Sequence, residues 1–215
     1  MKASSVIHKR IIKVRGEEIR ETDDILAVEE PLEISLSMMS AQPPLLRKNI
    51  SVTMRTPGDD TDLALGFLFT EGIIASPDQI ADVQQEENSV HVSLNASATV
   101  DLSGMERHFY TSSSCGVCGK TSIDAIKTVC PFPGGSTSVR VSAALIKRFP
   151  GRLRNKQAVF DRTGGLHAAA LFDTGGRLLM LREDVGRHNA LDKLIGAAFR
   201  ERKLPMEQHL LLLSG

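Results

Sequence analysis

Two cysteines with two residues between them are the side chains of this sequence best suited to chemistry. Cys115 and Cys118 flank a Gly-Val pair, and the residues just before and after them are serine and glycine. This lack of bulk leaves both sulfurs open to a large reactant, whereas a structural cysteine is usually buried among aliphatic residues. The pattern favours sulfur chemistry. The alternative is a glycine-rich turn in which the cysteines are incidental.

A working cysteine needs a lowered pKa, because the thiolate is the nucleophile. Lys120 supplies a nearby positive charge, and a helix predicted to begin at Thr121 or Ser122 would point its positive end at the loop. The second thiol can attack a mixed disulfide or a persulfide and release its product. The third cysteine, Cys130, follows an apolar helix face, so we interpret it as a buried bystander.

Other chemistries of a cysteine pair fit less well. A closed zinc site needs four ligands, but the sequence has no second such pair and no paired histidine spacing. Deaminases use H-x-E before their cysteines, whereas His167 follows the cysteines here and lacks the glutamate. A thioredoxin-like motif belongs beside a βαβ unit, and this pair follows a long β-rich segment. A structural zinc module stays open as an alternative.

Two glycine turns are candidates for binding an anion. Residues 182–189 lie between a predicted strand and a strong predicted helix, where backbone N–H groups and basic side chains can meet phosphate. Glu183 and Asp184 would oppose an anion unless they pair with the arginines. Residues 163–165 form a similar turn after Arg162 and can form another wall of the same pocket. The alternative is a solvated capping loop with internal salt bridges.

Composition narrows the class of protein. The 215 residues include 26 basic and 26 acidic side chains, a balance that gives no support for nucleic-acid binding. No apolar run is long enough to cross a bilayer, and the N-terminus lacks a signal-peptide core. We therefore predict a cytoplasmic protein without membrane contact. In that reducing compartment a cysteine pair is reactive or metal-binding rather than a permanent crosslink.

The predicted elements divide the chain in two. Residues 1–110 form a β-rich part with one long helix around residues 63–71, a short helix after Ser76 and a strand at 90–94. Residues 111–215 form an α/β domain that carries the cysteine loop. Its predicted elements are a helix from Ser142 with Leu145, Ile146 and Phe149 inward, a hairpin over 168–181, a helix over 190–199 and a strand at 209–213. A strand followed by Ser-Gly normally leads into another element, so we expect the C-terminal portion to be missing.

Five blocks in order resemble the formate dehydrogenase accessory sulfurtransferase family. They read MRTPGDD (54–60), GFL with EGII (66–68 and 71–74), SSCGVCGK (113–120), TGGLHAA (163–169) and REDVGRHNALDK (182–193). The resemblance implies an α/β (α+β) fold in which a β-rich N-terminal part precedes a cytidine-deaminase-like α/β domain. It also implies that no metal is ligated by the protein itself. Family members usually continue for several dozen residues beyond the position of Gly215, and that tail contributes to cofactor binding.

The resemblance also implies a function. Cys115 would accept persulfide sulfur from a cysteine desulfurase, with Cys118 as its helper, and pass it to the molybdenum bis(guanine dinucleotide) cofactor. The cofactor would then enter the formate dehydrogenase catalytic subunit, and the carrier would be a homodimer. A non-catalytic chaperone for the cofactor is the alternative. The residues that we predict to bind the cofactor are Lys120, Arg162, Gly164, Gly165, His167, Arg182, Arg187 and His188.

Overall fold

The structure is a computed structural model. It describes residues 4–38, 46–96 and 139–214, together with Ala98 and Phe132. The predictions for Cys115, Cys118, Lys120, Cys130 and the helix from Thr121 lie outside the described residues.

The N-terminal half is β-rich, as predicted. A two-stranded antiparallel ribbon of β1 (Val6–Arg15) and β2 (Glu18–Ala27) precedes a four-stranded sheet. That sheet has the order β4-β3-β6-β5, with β3 and β6 parallel and the outer pairs antiparallel. Its strands are β3 (Glu30–Met38), β4 (Leu46–Arg55), β5 (Ile80–Gln85) and β6 (Ser89–Leu94). Alternation of apolar residues along β3 and β6 gives the sheet one buried face.

Helix α1 (Asp60–Thr70) covers that buried face. Its leucines pack with those of β3 in one apolar core, which also takes in Phe199 from the far end of the chain. The short helix predicted after Ser76 is a single 3₁₀ turn, Pro77–Gln79, closed by a capping box between Ser76 and Gln79. Strand β5 follows it directly and was not predicted.

The C-terminal half places helices on both faces of a three-stranded antiparallel sheet with the order β8-β7-β9. Alternate residues of β7 pack against α3 on one face and α5 on the other. The predicted hairpin, helix and last strand are confirmed. The elements are α2 (Ala143–Ile146), α3 (Phe149–Arg154), α4 (Ala158–Thr163), β7 (His167–Asp173), β8 (Leu178–Asp184), α5 (Arg187–Arg200) and β9 (His209–Leu213).

The prediction that one helix from Ser142 turns three apolar residues inward is wrong in part. Ser142 caps α2 as expected, and Phe149 is buried at the start of a second helix, α3. Ile146, however, is 52% exposed, because α2 ends after one turn and the chain bends before α3. Helix α4 was not predicted. The mixed helices and strands confirm the fold class; the cytidine-deaminase-like detail and the division at residue 110 stay predictions.

Two glycines join the halves by letting α1 and α5 touch backbone to backbone. A Cβ on Gly66 would lie 1.9 Å from the carbonyl oxygen of Asp192, and one on Gly196 would lie 1.8 Å from that of Asp62. Neither neighbour is a flexible side-chain end, so the helices can come this close only at glycine. The crossing stacks the two sheets on opposite sides of a helical layer.

Across the described ranges, no helix is both long and apolar enough to cross a membrane.

We expect Gly66→Ala and Gly196→Ala each to lower the free energy of unfolding by about 1–3 kcal/mol or more, because the added methyl forces two backbones apart. Chemical denaturation with matched m-values measures the change. Gly151→Ala in α3 is the control: its Cβ meets nothing within 4 Å, and alanine is the better helix former. Equal stability of the Gly66→Ala and Gly151→Ala proteins would contradict the crossing.

Candidate functional site

A buried ion pair within the block 182–193 also holds the block 54–60 through hydrogen bonds. Lys193 Nζ on α5 lies 2.7 Å from Asp184 Oδ2 at the end of β8, and both side chains are almost completely buried. The ammonium group also donates to the carbonyl oxygens of Thr56, at 2.8 Å, and Glu183, at 3.3 Å. All of its donors are thus engaged, as a buried cation requires.

The Asp184 carboxylate is equally well satisfied. Oδ2 accepts from the backbone N–H of Thr56 at 3.2 Å, and Oδ1 accepts from that of Gly186 at 2.9 Å and from Asn189 Nδ2 at 3.2 Å. Asn189 also donates to the carbonyl oxygen of Met54 at 2.8 Å. Residues 54–56 and 184–193 are therefore held as one unit, although they are far apart in sequence.

Lys193 was not predicted to be a partner, and arginines were the only partners considered for the acids of this block. Asp184 pairs with lysine instead. The helical spacing of the sequence could have indicated that Lys193 is buried. Lys193 is four residues after Asn189, on the helix face that also buries Ala190 and Leu194. A lysine on an otherwise apolar stripe suggests a buried partner.

A second buried pair anchors the start of α1. Arg55, at the end of β4, donates from Nε to Asp60 Oδ1 at 2.9 Å and from Nη2 to Asp60 Oδ2 at 3.1 Å. The same guanidinium donates to the carbonyl oxygens of Glu30 and Glu87. This bidentate geometry fixes the turn at residues 56–59 between the sheet and the helix.

A cleft of about 1060 Å³ opens beside these two pairs. Arg182 of β8 lies in its wall, donating from Nη2 to Asp62 Oδ2 at 2.9 Å, and Arg200 Nη2 lies 3.0 Å from Asp62 Oδ1. Glu183 accepts from the backbone N–H groups of Val159 and Phe160 at the start of α4. The negative charge of Asp62 is therefore balanced by two arginines, and that of Glu183 is stabilised by two backbone N–H groups. The described lining is Ser5, residues 56–62, residues 85–87, Val159, Leu166, residues 181–183, Lys193 and Arg200.

A smaller cleft of about 300 Å³ adjoins the first, since Leu166 lines both. Gly164 ends α4 with φ of 67°, a left-handed conformation that favours glycine, and a Cβ there would meet nothing within 4 Å. Gly165 is also open, with only Ala27 Cβ at 3.7 Å. The remaining described lining residues are Gln157, Phe160, His167 and Ser214. Gln157 Nε2 is buried without a hydrogen-bond partner among the described residues.

The structure thus brings some predicted cofactor-binding residues together and separates others. Gly164, Gly165 and His167 line the smaller cleft, and Arg182 lines the larger one. Arg162, Arg187 and His188 are exposed on their helices and line neither described cleft. Cys115, Cys118 and Lys120 lie outside the described residues. Their roles all stay predictions.

One carboxyl of the 182–193 block has a strongly shifted pKa. Desolvation between α1 and α5 raises the pKa of Asp192 from 3.8 to about 7, with Glu71 adding to the rise and the hydrogen bond from Thr70 Oγ1 opposing it. A raised acid pKa means that the folded state binds this proton more tightly than the unfolded state does. The contribution of Asp192 to stability therefore declines as pH rises from about 4 to about 7.

Within the described part of the chain, no group of three or more histidine, cysteine, aspartate or glutamate side chains is placed to hold a metal ion. The cysteines are outside that part, so the absence of a protein-ligated metal stays a prediction.

Comparison with known proteins decides the family. A model described as the FdhD/NarQ family matches residues 27–215. The chain belongs to the FdhD/NarQ family. It is 43% identical over 218 residues to the sulfur carrier protein FdhD of Streptomyces coelicolor, covering 96% of this chain and 74% of that protein. Two further relatives of that name, from Mycolicibacterium paratuberculosis and Saccharolobus solfataricus, are 44% and 38% identical, covering 89% and 95% of this chain and 71% and 74% of theirs.

A solved structure shares the fold of this FdhD/NarQ member. The crystal structure of a protein from Desulfotalea psychrophila, described as a formate dehydrogenase accessory protein, superposes with a TM-score of 0.67 at 21% identity. The match covers 99% of this chain and 76% of that one. The family resemblance inferred from the five blocks is therefore confirmed.

We expect Lys193→Met to lower the free energy of unfolding by about 3–5 kcal/mol, because it leaves the Asp184 carboxylate buried without its counter-charge. Urea unfolding measures the loss. Lys203→Met is the control, since Lys203 is an exposed residue paired with Glu201. Adding Asp184→Asn to Lys193→Met should recover part of the loss. If Lys193→Met were no more destabilising than Lys203→Met, the buried pair would not have the role assigned here.

Proposed function

We propose that this chain is a sulfur carrier that accepts persulfide sulfur on Cys115 from a cysteine desulfurase and delivers it for the maturation of formate dehydrogenase. The observation that carries the proposal is the pair Cys115 and Cys118 in a member of a family whose relatives are named sulfur carrier proteins. A cytoplasmic location suits it, because reducing conditions keep both thiols free.

In the loading step, the Cys115 thiolate attacks the outer sulfur of the desulfurase persulfide. The sulfur–sulfur bond of the donor breaks, its cysteine leaves as a thiolate, and a persulfide forms on Cys115. Nothing is oxidised overall, since one persulfide is exchanged for another. Lys120 is the nearest basic residue in the sequence and would favour the attacking thiolate.

In the release step, the Cys118 thiolate attacks the Cys115 sulfur of the persulfide. A Cys115–Cys118 disulfide forms and hydrosulfide leaves, so the two cysteines are oxidised while the outer sulfur is reduced. The hydrosulfide is the species delivered to the molybdenum substrate. A cellular dithiol reductant returns the pair to thiols for the next cycle.

The two adjoining clefts are the proposed site of the molybdenum bis(guanine dinucleotide) substrate. The open backbone at Gly164 and Gly165 allows a planar ring to approach closely, and the unpartnered amide of Gln157 offers a hydrogen bond to a ring carbonyl. In the larger cleft, Arg182 and Arg200 compensate Asp62, which lowers the repulsion that a diphosphate would meet. The formate dehydrogenase catalytic subunit is the proposed recipient.

We expect the Cys115→Ser protein to gain no sulfur when it is incubated with desulfurase and cysteine, because serine cannot form a persulfide. Intact-protein and peptide mass spectrometry should show one added sulfur on the Cys115 peptide of the unaltered chain. Cys130→Ser is the matched control and should load normally. Sulfur on neither Cys115 nor Cys118 of the unaltered chain would overturn the carrier proposal, and unchanged maturation by Cys115→Ala would favour a chaperone.

We expect Gly165→Val to weaken guanosine diphosphate binding at least tenfold, because its side chain would enter the smaller cleft. The melting temperature should stay close to that of the unaltered chain, since the nearest atom to an added Cβ is Ala27 Cβ at 3.7 Å. Isothermal titration calorimetry and thermal unfolding measure the two quantities. Gly151→Val, at an open glycine of α3 that lines neither described cleft, should bind normally, and equal affinities of the two variants would exclude the cleft as the guanine site.

A further inference from the structure

Basic side chains are concentrated on three consecutive helices of the C-terminal half. Residues 139–163, which include α2, α3 and α4, carry seven basic side chains and a single acid, Asp161. The whole chain has 26 of each kind, so more acids than bases remain in the rest of the molecule. A chain that is neutral overall thus has one strongly basic segment. Its seven bases are Arg140, Lys147, Arg148, Arg152, Arg154, Lys156 and Arg162.

These seven side chains carry positive charge that no nearby acid balances. All seven residues are exposed, and none of them belongs to an ion pair among the described residues. Arg152 donates only to the carbonyl oxygen of Gly176, and the Arg154 guanidinium lies 5.8 Å from the centre of the Phe160 ring. Protein surfaces ordinarily mix both signs of charge. We call the outer surface formed by these seven residues the basic face.

The basic face is built on packed helices rather than on loops. Leu145 of α2 and both Phe149 and Leu153 of α3 pack against β7 in one apolar core, which leaves the basic residues of these helices on the outside. Ile146 is 52% exposed among them and directly precedes Lys147. An apolar side chain surrounded by arginine and lysine is typical of a protein–protein interface, where an apolar centre has a polar rim.

The basic face adjoins the smaller cleft through α4. Gln157, Phe160 and Gly164 line that cleft. Two basic residues alternate with them along the chain: Lys156 directly precedes Gln157, and Arg162 lies between Phe160 and Gly164. A protein that covers α4 would therefore lie beside the proposed substrate site.

The structure favours an acidic protein over the other anionic partners. A nucleic acid would extend past the basic face onto the acidic remainder of the chain, and these helices offer no exposed aromatic side chain on which a base could stack. A membrane-surface helix inserts its apolar side into lipid, whereas α3 turns its apolar residues toward the sheet. Five of the seven bases are arginines, whose planar group pairs with carboxylates through two hydrogen bonds.

We propose that the basic face binds an acidic surface of the protein that receives the molybdenum substrate, the formate dehydrogenase catalytic subunit. This docking surface rests on the proposed function, because a recipient must approach the clefts in which the substrate is held. Carboxylates of the recipient pair with the arginines, and an apolar side chain of the recipient covers Ile146. Attraction between the two surfaces speeds their association and weakens as salt is added.

Charge reversal on the basic face tests the contact. The full chain with Lys147→Glu, Arg148→Glu and Lys156→Glu should bind the immobilised catalytic subunit about tenfold or more weakly, since repulsion replaces attraction. Arg148 is the N-cap of α3, and Lys156 directly precedes the N-cap of α4. Glutamate is favourable at a helix start, so circular dichroism and thermal unfolding should show a normally folded variant.

A matched control separates this face from net charge. Arg47→Glu, Arg202→Glu and Lys203→Glu together change the net charge by the same amount, at exposed residues outside α2, α3 and α4. This control variant should bind as the unaltered chain does. Raising the salt from about 50 to about 200 mM should weaken binding of the unaltered chain more than that of the basic-face variant.

Sulfur loading by the desulfurase, followed by mass spectrometry, distinguishes failure of this docking surface from failure of the carrier proposal. Both triple variants should gain sulfur on Cys115 normally. A chain that binds the recipient through the basic face but never gains sulfur would overturn only the carrier proposal. Equal affinities of the two triple variants, an unaltered chain that does not bind the recipient, or tighter binding to single-stranded RNA or to phosphatidylserine vesicles would each overturn the docking surface.

Discussion

The ion pair between Lys193 and Asp184 is the interaction on which the rest of the described structure depends. Both charges are buried, and removing two ions from water costs several kcal/mol per ion unless every polar atom finds a partner. Here each one does, and the partners come from three separate parts of the chain: the end of β4, the end of β8 and α5. Both charges belong to the C-terminal half, but their set of hydrogen bonds is complete only when Thr56 of the N-terminal half is in place. Full satisfaction of the pair therefore requires the two halves to be correctly aligned.

The close crossing of α1 and α5 also depends on correct alignment of the two halves. Gly66 and Gly196 let α1 and α5 approach until their backbones touch, and Lys193 lies one turn before Gly196 on the same helix. With the helices held in this way, residues 56–62 and 181–183 lie together in the lining of the larger cleft. The cleft is thus a consequence of how the halves join rather than of either half alone. In its wall, Asp60 and Asp62 are matched by arginines and Glu183 by backbone N–H groups, which lowers the repulsion that an anion would meet beside them.

Sulfur transfer makes two different demands on the chain. A persulfide cysteine needs an accessible thiol and a partner thiol, which residues 115–118 supply by sequence. A large substrate needs a rigid cleft, which the paired sheets and helices supply. The ribbon of β1 and β2 contributes no residue to the apolar cores found among the described residues. Its base nevertheless lies next to the smaller cleft, since Ala27 is beside Gly165.

The sequence by itself determined the family, the β-rich start, the hairpin of β7 and β8 and the amphipathic helix α5, because these depend on local periodicity and on motifs that are contiguous in the chain. It also identified the cysteine pair, whose assigned role stays a prediction. Only the tertiary structure decided that Lys193 neutralises Asp184, that Arg182 is held by Asp62, and that Gly164, Gly165 and His167 share a cleft while Arg187 and His188 stay outside it. Helix α4 and strand β5 were not predicted, because each is too short to show a clear periodicity of apolar residues. The contacts of Arg182 with Asp62 and of Lys193 with Thr56 join residues more than a hundred positions apart, and such contacts leave no local pattern in the sequence.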